Sequence, residues 1–175
     1  MDALTHLFLP LTVCYVVYRE VFTSPVFLIV GVFGLFPDAD KFLGIPGLLH
    51  SLVALLPLGI TCLAVEYSYR GRLKWSPVIV ALVGSHLVLD FIDGGPVPLL
   101  FPLVETGIGL RYPAQTVFGQ GLLGVTVDGP LFTLRSVAPR QGFNTYGFIQ
   151  GAGVASALAF LVVFHWGPKP TDTEP

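Results

Sequence analysis

The sequence predicts an all-α membrane protein: a bundle of about five transmembrane helices, with a small β-containing extramembrane cap between the fourth and fifth. Three observations predict it. The 175-residue chain is 53% hydrophobic and only 11% charged, where an ordinary globular domain is roughly 25% charged. Five apolar segments recur along it, at about 3–18, 24–36, 46–66, 75–92 and 146–166, separated by polar joints. The stretch 94–145 is different, broken by Gly and Pro and alternating in places as strands do. A soluble globule with so few charges would expose large apolar patches. The length suits one domain, taken as residues 1–168 with the cap inserted at about 94–145, followed by a disordered tail, 169–175.

Each segment has its own justification. The first is preceded by Asp2 and by no Lys or Arg, so it lacks the basic start of a secretory signal and reads as a retained helix. The third and fifth approach the ~20 residues needed to cross a bilayer. The first, second and fourth are shorter, so they tilt, end early or pack inside the bundle. The joints are Arg19-Glu20, PDADKFLGIP (37–46) and RGRLK (70–74). In the cap, LGVTVDGPLFTLRS (123–136) alternates around Asp128-Gly129, a hairpin-turn signal, and Arg111, Asp128, Arg135 and Arg140 supply charge. Cys14 and Cys62 lie within apolar runs and read as small buried hydrophobes, not a disulfide framework. A net charge of −2 gives no reason to expect nucleic acid as a partner.

Positive charge sets an expected orientation. Arg70, Arg72 and Lys74 make the third joint the most basic short loop, which places it on the cytoplasmic side. Arg19 and Lys169 then also fall inside. The N-terminus, the PDAD joint and the cap fall outside, and the C-terminus is cytoplasmic. His165, Glu66 and Tyr67 mark the inner interface.

The ionisable residues in or beside the apolar runs are His6, Asp38, Asp40, His50, His86, Asp90 and Asp93. A carboxylate at the centre of a membrane helix costs roughly 2.5–3.5 kcal/mol on insertion scales, so such residues are functional candidates. Lys and Arg alone fixed the orientation, yet all seven candidates fall on its outer side. His86 and Asp90 are spaced i, i+4 and share a helix face. Asp93, at i+3 from Asp90, joins that face if the helix continues so far. Three imidazoles and two or three carboxylates suit one or two divalent metals, with zinc favoured by the histidines. A metal would also neutralise carboxylates held close together. Other readings stand beside these: Asp38 as a helix-ending turn residue, Asp40 as a partner of Lys41, His86–Asp90 as a plain hydrogen-bonded pair, and Asp93 as a turn residue before Gly94-Gly95.

THLFLPL (5–11), LFPDADKF (35–42), LLHSLVALLPLG (48–59) and SHLVLDFIDGGPVPLLFPL (85–103) occur in that order. Together they resemble the membrane-bound metal-dependent hydrolases related to YdjM. The resemblance covers about the first hundred residues. It implies a helical membrane protein with a metal centre at His6, Asp38, Asp40, His50, His86 and Asp90, and a hydrolytic activity. An Arg-Gly pair that members often carry before the His-Ser is replaced here by IPGLL (45–49).

The expected function is therefore metal-dependent hydrolysis at the outer membrane face, with the metal activating water and Asp40 or Asp93 as general base. The substrate expected is an ester or phosphoester of a membrane lipid or lipid-linked molecule, with Arg111, Arg135 or Arg140 positioned for a phosphate. A non-catalytic metal-stabilised scaffold or metal-handling protein is the alternative. An ion or proton transporter is disfavoured, because the charged groups collect at one end and no polar path continues inward.

Overall fold

The computed structural model describes residues 2–119, 121–127, 129–137 and 147–167. The chain is mostly helical, with α1 (Ala3–Val17), a 3-10 helix (Pro25–Asp38), the single turn α2 (Ala39–Phe42), α3 (Leu52–Arg70), α4 (Ser76–Ile92) and α5 (Gly151–Trp166). α1, α4 and the 3-10 helix pack mutually, while α5 leans on α1 and α3 leans on α4. Among the described residues only α3 is long and apolar enough to cross a membrane by itself; α1, α4 and α5 are shorter apolar helices. Of the expected bundle of about five transmembrane helices with a small β-containing cap, the mostly helical chain and the small sheet are present, and one helix has the length and apolarity of a span.

The second apolar segment is the least regular. It winds for 14 residues as a 3-10 helix, although such runs rarely exceed 3–4 residues. At ~2.0 Å per residue it extends about 28 Å, where an α-helix would reach about 21 Å. Two glycines seat it. A Cβ at Gly31 would lie 3.0 Å from the side chain of Leu11, and one at Gly34 would lie 2.3 Å from the carbonyl oxygen of His6.

The interior is divided by chemistry. One buried cluster is apolar, with Leu11, Cys14, Tyr15, Val78, Leu82 and Phe160 at its heart. The other end buries Asp2, Thr5, His6, Asp38, Asp40, His50, Ser51 and His86. Large apolar side chains such as Val17, Ile29, Ile60 and Leu158 face outward, the arrangement of a protein solvated by lipid rather than water.

Four strands form the insertion. β1 (Thr106–Leu110) pairs antiparallel with β4 (Phe132–Ser136), and β2 (Ala114–Gly119) pairs with β3 (Gly121–Val127). The hairpin expected at Asp128-Gly129 is corrected here. Asp128 lies outside the described residues, and β3 and β4 belong to different ladders. Pro130 cannot donate to a ladder immediately after a turn. Leu131 instead continues the β1–β4 pairing by accepting from the Arg111 N–H at 2.7 Å. The cap is seated on the chain after α4: Val97 bridges Ile108, and Gly107 and Gly109 leave room for backbone at Gly94–Pro96. Arg140 and the tail 169–175 also lie outside the described residues.

Candidate metal centre

Each histidine is aimed by its own local structure. Asp2 caps α1, accepting from the Thr5 N–H at 3.0 Å. The carbonyl oxygen of Asp2 lies 3.0 Å from His6 Nδ1. His86, in α4, places Nδ1 2.7 Å from the carbonyl oxygen of Gly34. His50 directly precedes Ser51, the N-cap of α3, and its Nδ1 lies 3.0 Å from Asp40 Oδ2. Each of the three Nδ1 atoms faces an acceptor oxygen and so carries the hydrogen and donates it, and in the neutral rings the Nε2 atoms then carry the lone pairs.

Those lone pairs converge. His6 Nε2 is 3.1 Å from Asp90 Oδ1. His50 Nε2 and His86 Nε2 each lie 3.4 Å from Asp90 Oδ2. The same two nitrogens lie 3.5 Å from Asp38 Oδ1. The rings are in contact, His6 stacked on His86 at 4.0 Å and His50 edge-on to His86 at 5.1 Å between centroids. His6 and His86 are each 1% exposed, and the Nε2 of each is buried without a hydrogen-bond partner.

Asp90 is the more open member, with a side chain 22% exposed where those of the histidines and Asp38 are 9% or less.

This pattern fits a cation better than hydrogen bonding. Tetrahedral zinc ligands at 2.0–2.1 Å from the ion sit about 3.3 Å from one another, and the separations here span 3.1–3.5 Å. His6 Nε2 lies near Asp90 yet makes no hydrogen bond with it, as expected when two lone pairs aim at a shared point. Two overlapping donor groups result, His6–His86–Asp90 and Asp38–His50–His86. An unpaired buried imidazole nitrogen is costly without such a partner. The buried His/Asp residues can therefore hold a metal ion.

Two expected site residues stand elsewhere. Asp40, 1% exposed, belongs to neither donor group. Its Oδ2 accepts from the Gly47 N–H at 2.9 Å, the Leu49 N–H at 3.1 Å and His50. Through Oδ2 it holds His50 and the loop before α3, while its other oxygen, Oδ1, is buried without a hydrogen-bond partner. Asp93 is exposed at the C-cap of α4 and is in neither donor group. Its N–H still makes the helical bond to the Leu89 carbonyl oxygen at 2.8 Å, but its side chain is exposed at the helix end. Arg111 and Arg135 are exposed in the cap.

Four contributors were not anticipated. Asp2 is fully buried, and its sequence signal was the N-cap pairing with Thr5. Gly34 offered only its residue type. Ser51 ties His50 to the chain after α4, its hydroxyl lying 3.2 Å from the Leu99 carbonyl oxygen. Lys41 pairs with Asp38.

No curated protein and no solved structure matches the chain. The family model described as YdjM inner membrane protein matches residues 1–168. With the model spanning nearly the whole chain, bundle, cap and buried His/Asp cluster included, this protein belongs to the YdjM inner membrane protein family.

Proposed function

We propose that this protein is a membrane-embedded, metal-dependent hydrolase. His6, His50, His86, Asp38 and Asp90 would hold one divalent cation, zinc being the best match to three imidazoles with carboxylates. The carrying observation is the convergence of three Nε2 atoms whose Nδ1 partners are all fixed, two of them buried with no hydrogen bond. A single ion is favoured over two because His86 belongs to both donor groups, and one imidazole nitrogen has one lone pair.

A divalent cation there supplies Lewis acidity and activates water near neutral pH. The chain's own groups do the rest. A catalytic zinc site uses three protein ligands beside its water, and the five donors here exceed that number, so a carboxylate is available for proton transfer. Asp90 is placed for it: it is the partly exposed donor, with one oxygen toward His6 and the other toward His50 and His86. Asp40 keeps His50 in its working tautomer through the change in charge at the site. The apolar exterior favours an ester or phosphoester of a membrane lipid or lipid-linked molecule. The bundle would cross the membrane several times with the cluster end outward, since Arg19 follows the far end of α1, Arg70 ends α3 and Lys74 precedes α4.

Metal analysis of protein purified in detergent tests this, alongside hydrolysis of a panel of esters and phosphoesters. Wild type should hold about one equivalent and cleave a member of the panel, and a His86→Ala/Asp90→Ala double variant should do neither. Equal metal in both proteins overturns the site. Metal held without cleavage across the panel favours the non-catalytic, metal-stabilised reading. Cysteine-accessibility labelling beside Asp40 and Arg72 tests the orientation, which fails if both label from one side.

A further inference from the structure

We infer that an anionic phospholipid binds between α3 and α4 at the end of the bundle opposite the metal centre, with its phosphate on Arg70 and an acyl chain in the groove beside it. The inference takes α3 as a membrane span and is independent of the chemistry proposed for the metal centre. A groove of about 700 Å³ opens there between the two helices. Leu58, Cys62 and Val65 of α3, with Trp75 and Ile79 at the start of α4, form its apolar walls. Arg70, the last residue of α3, also lines it.

The groove follows from how α3 is held. Leu55, in its first turn, packs with Leu87 and Val97. Toward the other end, Glu66 accepts from the N–H groups of Lys74, Trp75 and Ser76 and from the Ser76 hydroxyl. Leu58, Cys62, Val65 and Tyr69 line the groove at helical spacing, on one face of α3. At 1.5 Å per residue they extend over about 16 Å, close to the ~15 Å that one leaflet contributes to the hydrocarbon core. Trp75 is held as a wall by Phe27, edge-on with ring centroids 4.7 Å apart.

Charge says what fills it. Glu66 and Arg70 are spaced i, i+4, at which opposite charges commonly pair on a helix. Here Glu66 turns to the start of α4 instead. Among the described residues the ion pairs gather at the metal-centre end, and Arg70 enters none of them. Arg72 is exposed in the joint that follows, and Lys74 Nζ lies 5.8 Å from the centroid of the Trp75 ring. The joint thus brings three cations against one carboxylate that is already met by backbone N–H groups. A guanidinium takes phosphate through two parallel hydrogen bonds, and basic pockets between membrane helices bind anionic head groups. Outward apolar side chains occur all round the bundle and select no lipid. Concavity and unpaired positive charge coincide here.

The test uses the full chain in a neutral detergent, carrying Trp166→Phe so that Trp75 is its sole tryptophan. Its fluorescence is followed during titration with phosphatidylglycerol or phosphatidylcholine bearing brominated acyl chains, because bromine quenches an indole only at close range. Phosphatidylglycerol should quench at a concentration about tenfold lower than phosphatidylcholine, as expected for several basic residues facing an anionic head group. Arg70→Gln should raise the phosphatidylglycerol concentration needed about fivefold, the effect of one such residue, and leave phosphatidylcholine unchanged. Arg70→Lys should keep most of the preference. Cys62→Phe fills the groove and should weaken quenching by both lipids. Equal quenching by the two lipids means ordinary contact with surrounding lipid and overturns the inference. A phosphatidylglycerol response indifferent to Arg70→Gln overturns it too, as does quenching untouched by Cys62→Phe. A protein that holds no metal and cleaves no ester overturns the hydrolase reading and leaves this inference standing.

Discussion

Gly34 touches two of the three histidines through its backbone: its carbonyl oxygen receives His86 Nδ1 at 2.7 Å, and its Cα faces the His6 carbonyl where a Cβ would come within 2.3 Å. The 3-10 helix thereby holds α1 and α4 in one register, with a residue that has no side chain. Gly34→Ala forces backbone away from backbone, with no flexible side chain to yield. The variant should lose about 1–3 kcal/mol of stability, as overpacked cores do. Its metal affinity should fall about 10–100-fold, as when an outer-shell partner of a ligand is disturbed. Thermal unfolding with and without zinc, and competitive metal titration, measure the two effects.

Asp40 separates orienting a ligand from being one. Its Oδ2 gathers two backbone N–H groups and His50 Nδ1. Asp40→Asn keeps an acceptor oxygen but loses the charge, so metal affinity should drop about 10–100-fold while the stoichiometry stays the same. His86→Ala removes the donor common to both groups and should lower the stoichiometry itself. Metal content together with a zinc titration of both variants checks this. Identical behaviour would return Asp40 to the ligand set.

Much of this centre was legible because helix period and chain direction are local properties. His86 and Asp90 share a face by spacing alone. Alternating spans brought His6, Asp38, His50 and Asp90 to one end without any knowledge of packing. What escaped the sequence depended on tertiary contact. Asp40 and Asp38 differ by two positions in one turn, and only the path of residues 43–50 decides which of them faces the donors. Asp93 keeps the helical bond to Leu89 yet is exposed at the end of α4 and joins neither donor group. The 3-10 winding of 25–38, which packs against α1 and α4, could not be told from an α-helix by its apolar run. In the cap the alternation was real, but the ladder partners are set by β1, whose glycines seat it on Gly94–Pro96.

Glu66 provides a control at the far end of the bundle. Its carboxylate accepts from the backbone N–H of Lys74, Trp75 and Ser76 and from the Ser76 hydroxyl, clasping the start of α4 to α3. Glu66→Gln keeps one acceptor of two, and should cost about 1 kcal/mol at this partly exposed position. Metal content and affinity should not change. A stability loss accompanied by loss of metal would mean that the α3–α4 connection, and not the donor geometry alone, governs the centre.

The α1–α5 contact reaches the centre through a chain of three residues. A Cβ at Gly153 would lie 2.2 Å from Asp2 Oδ1, and Asp2 both caps α1 and offers its carbonyl oxygen to His6 Nδ1. Gly153→Ala therefore pushes the cap before it touches any ligand. Helix propensity alone favours the alanine by up to about 1 kcal/mol, so simple helix stabilisation and displacement of Asp2 carry opposite signs. Loss of the cap costs about 0.5–2 kcal/mol, and the release of His6 adds a metal defect that propensity cannot produce. The expected outcome is a protein no more stable than wild type, with weaker zinc binding. Asp2→Asn, which preserves both the capping oxygen and the carbonyl, should bind zinc nearly as wild type does. Zinc titrations of the two variants decide the matter: if Gly153→Ala binds normally, α5 does not support the centre through Asp2.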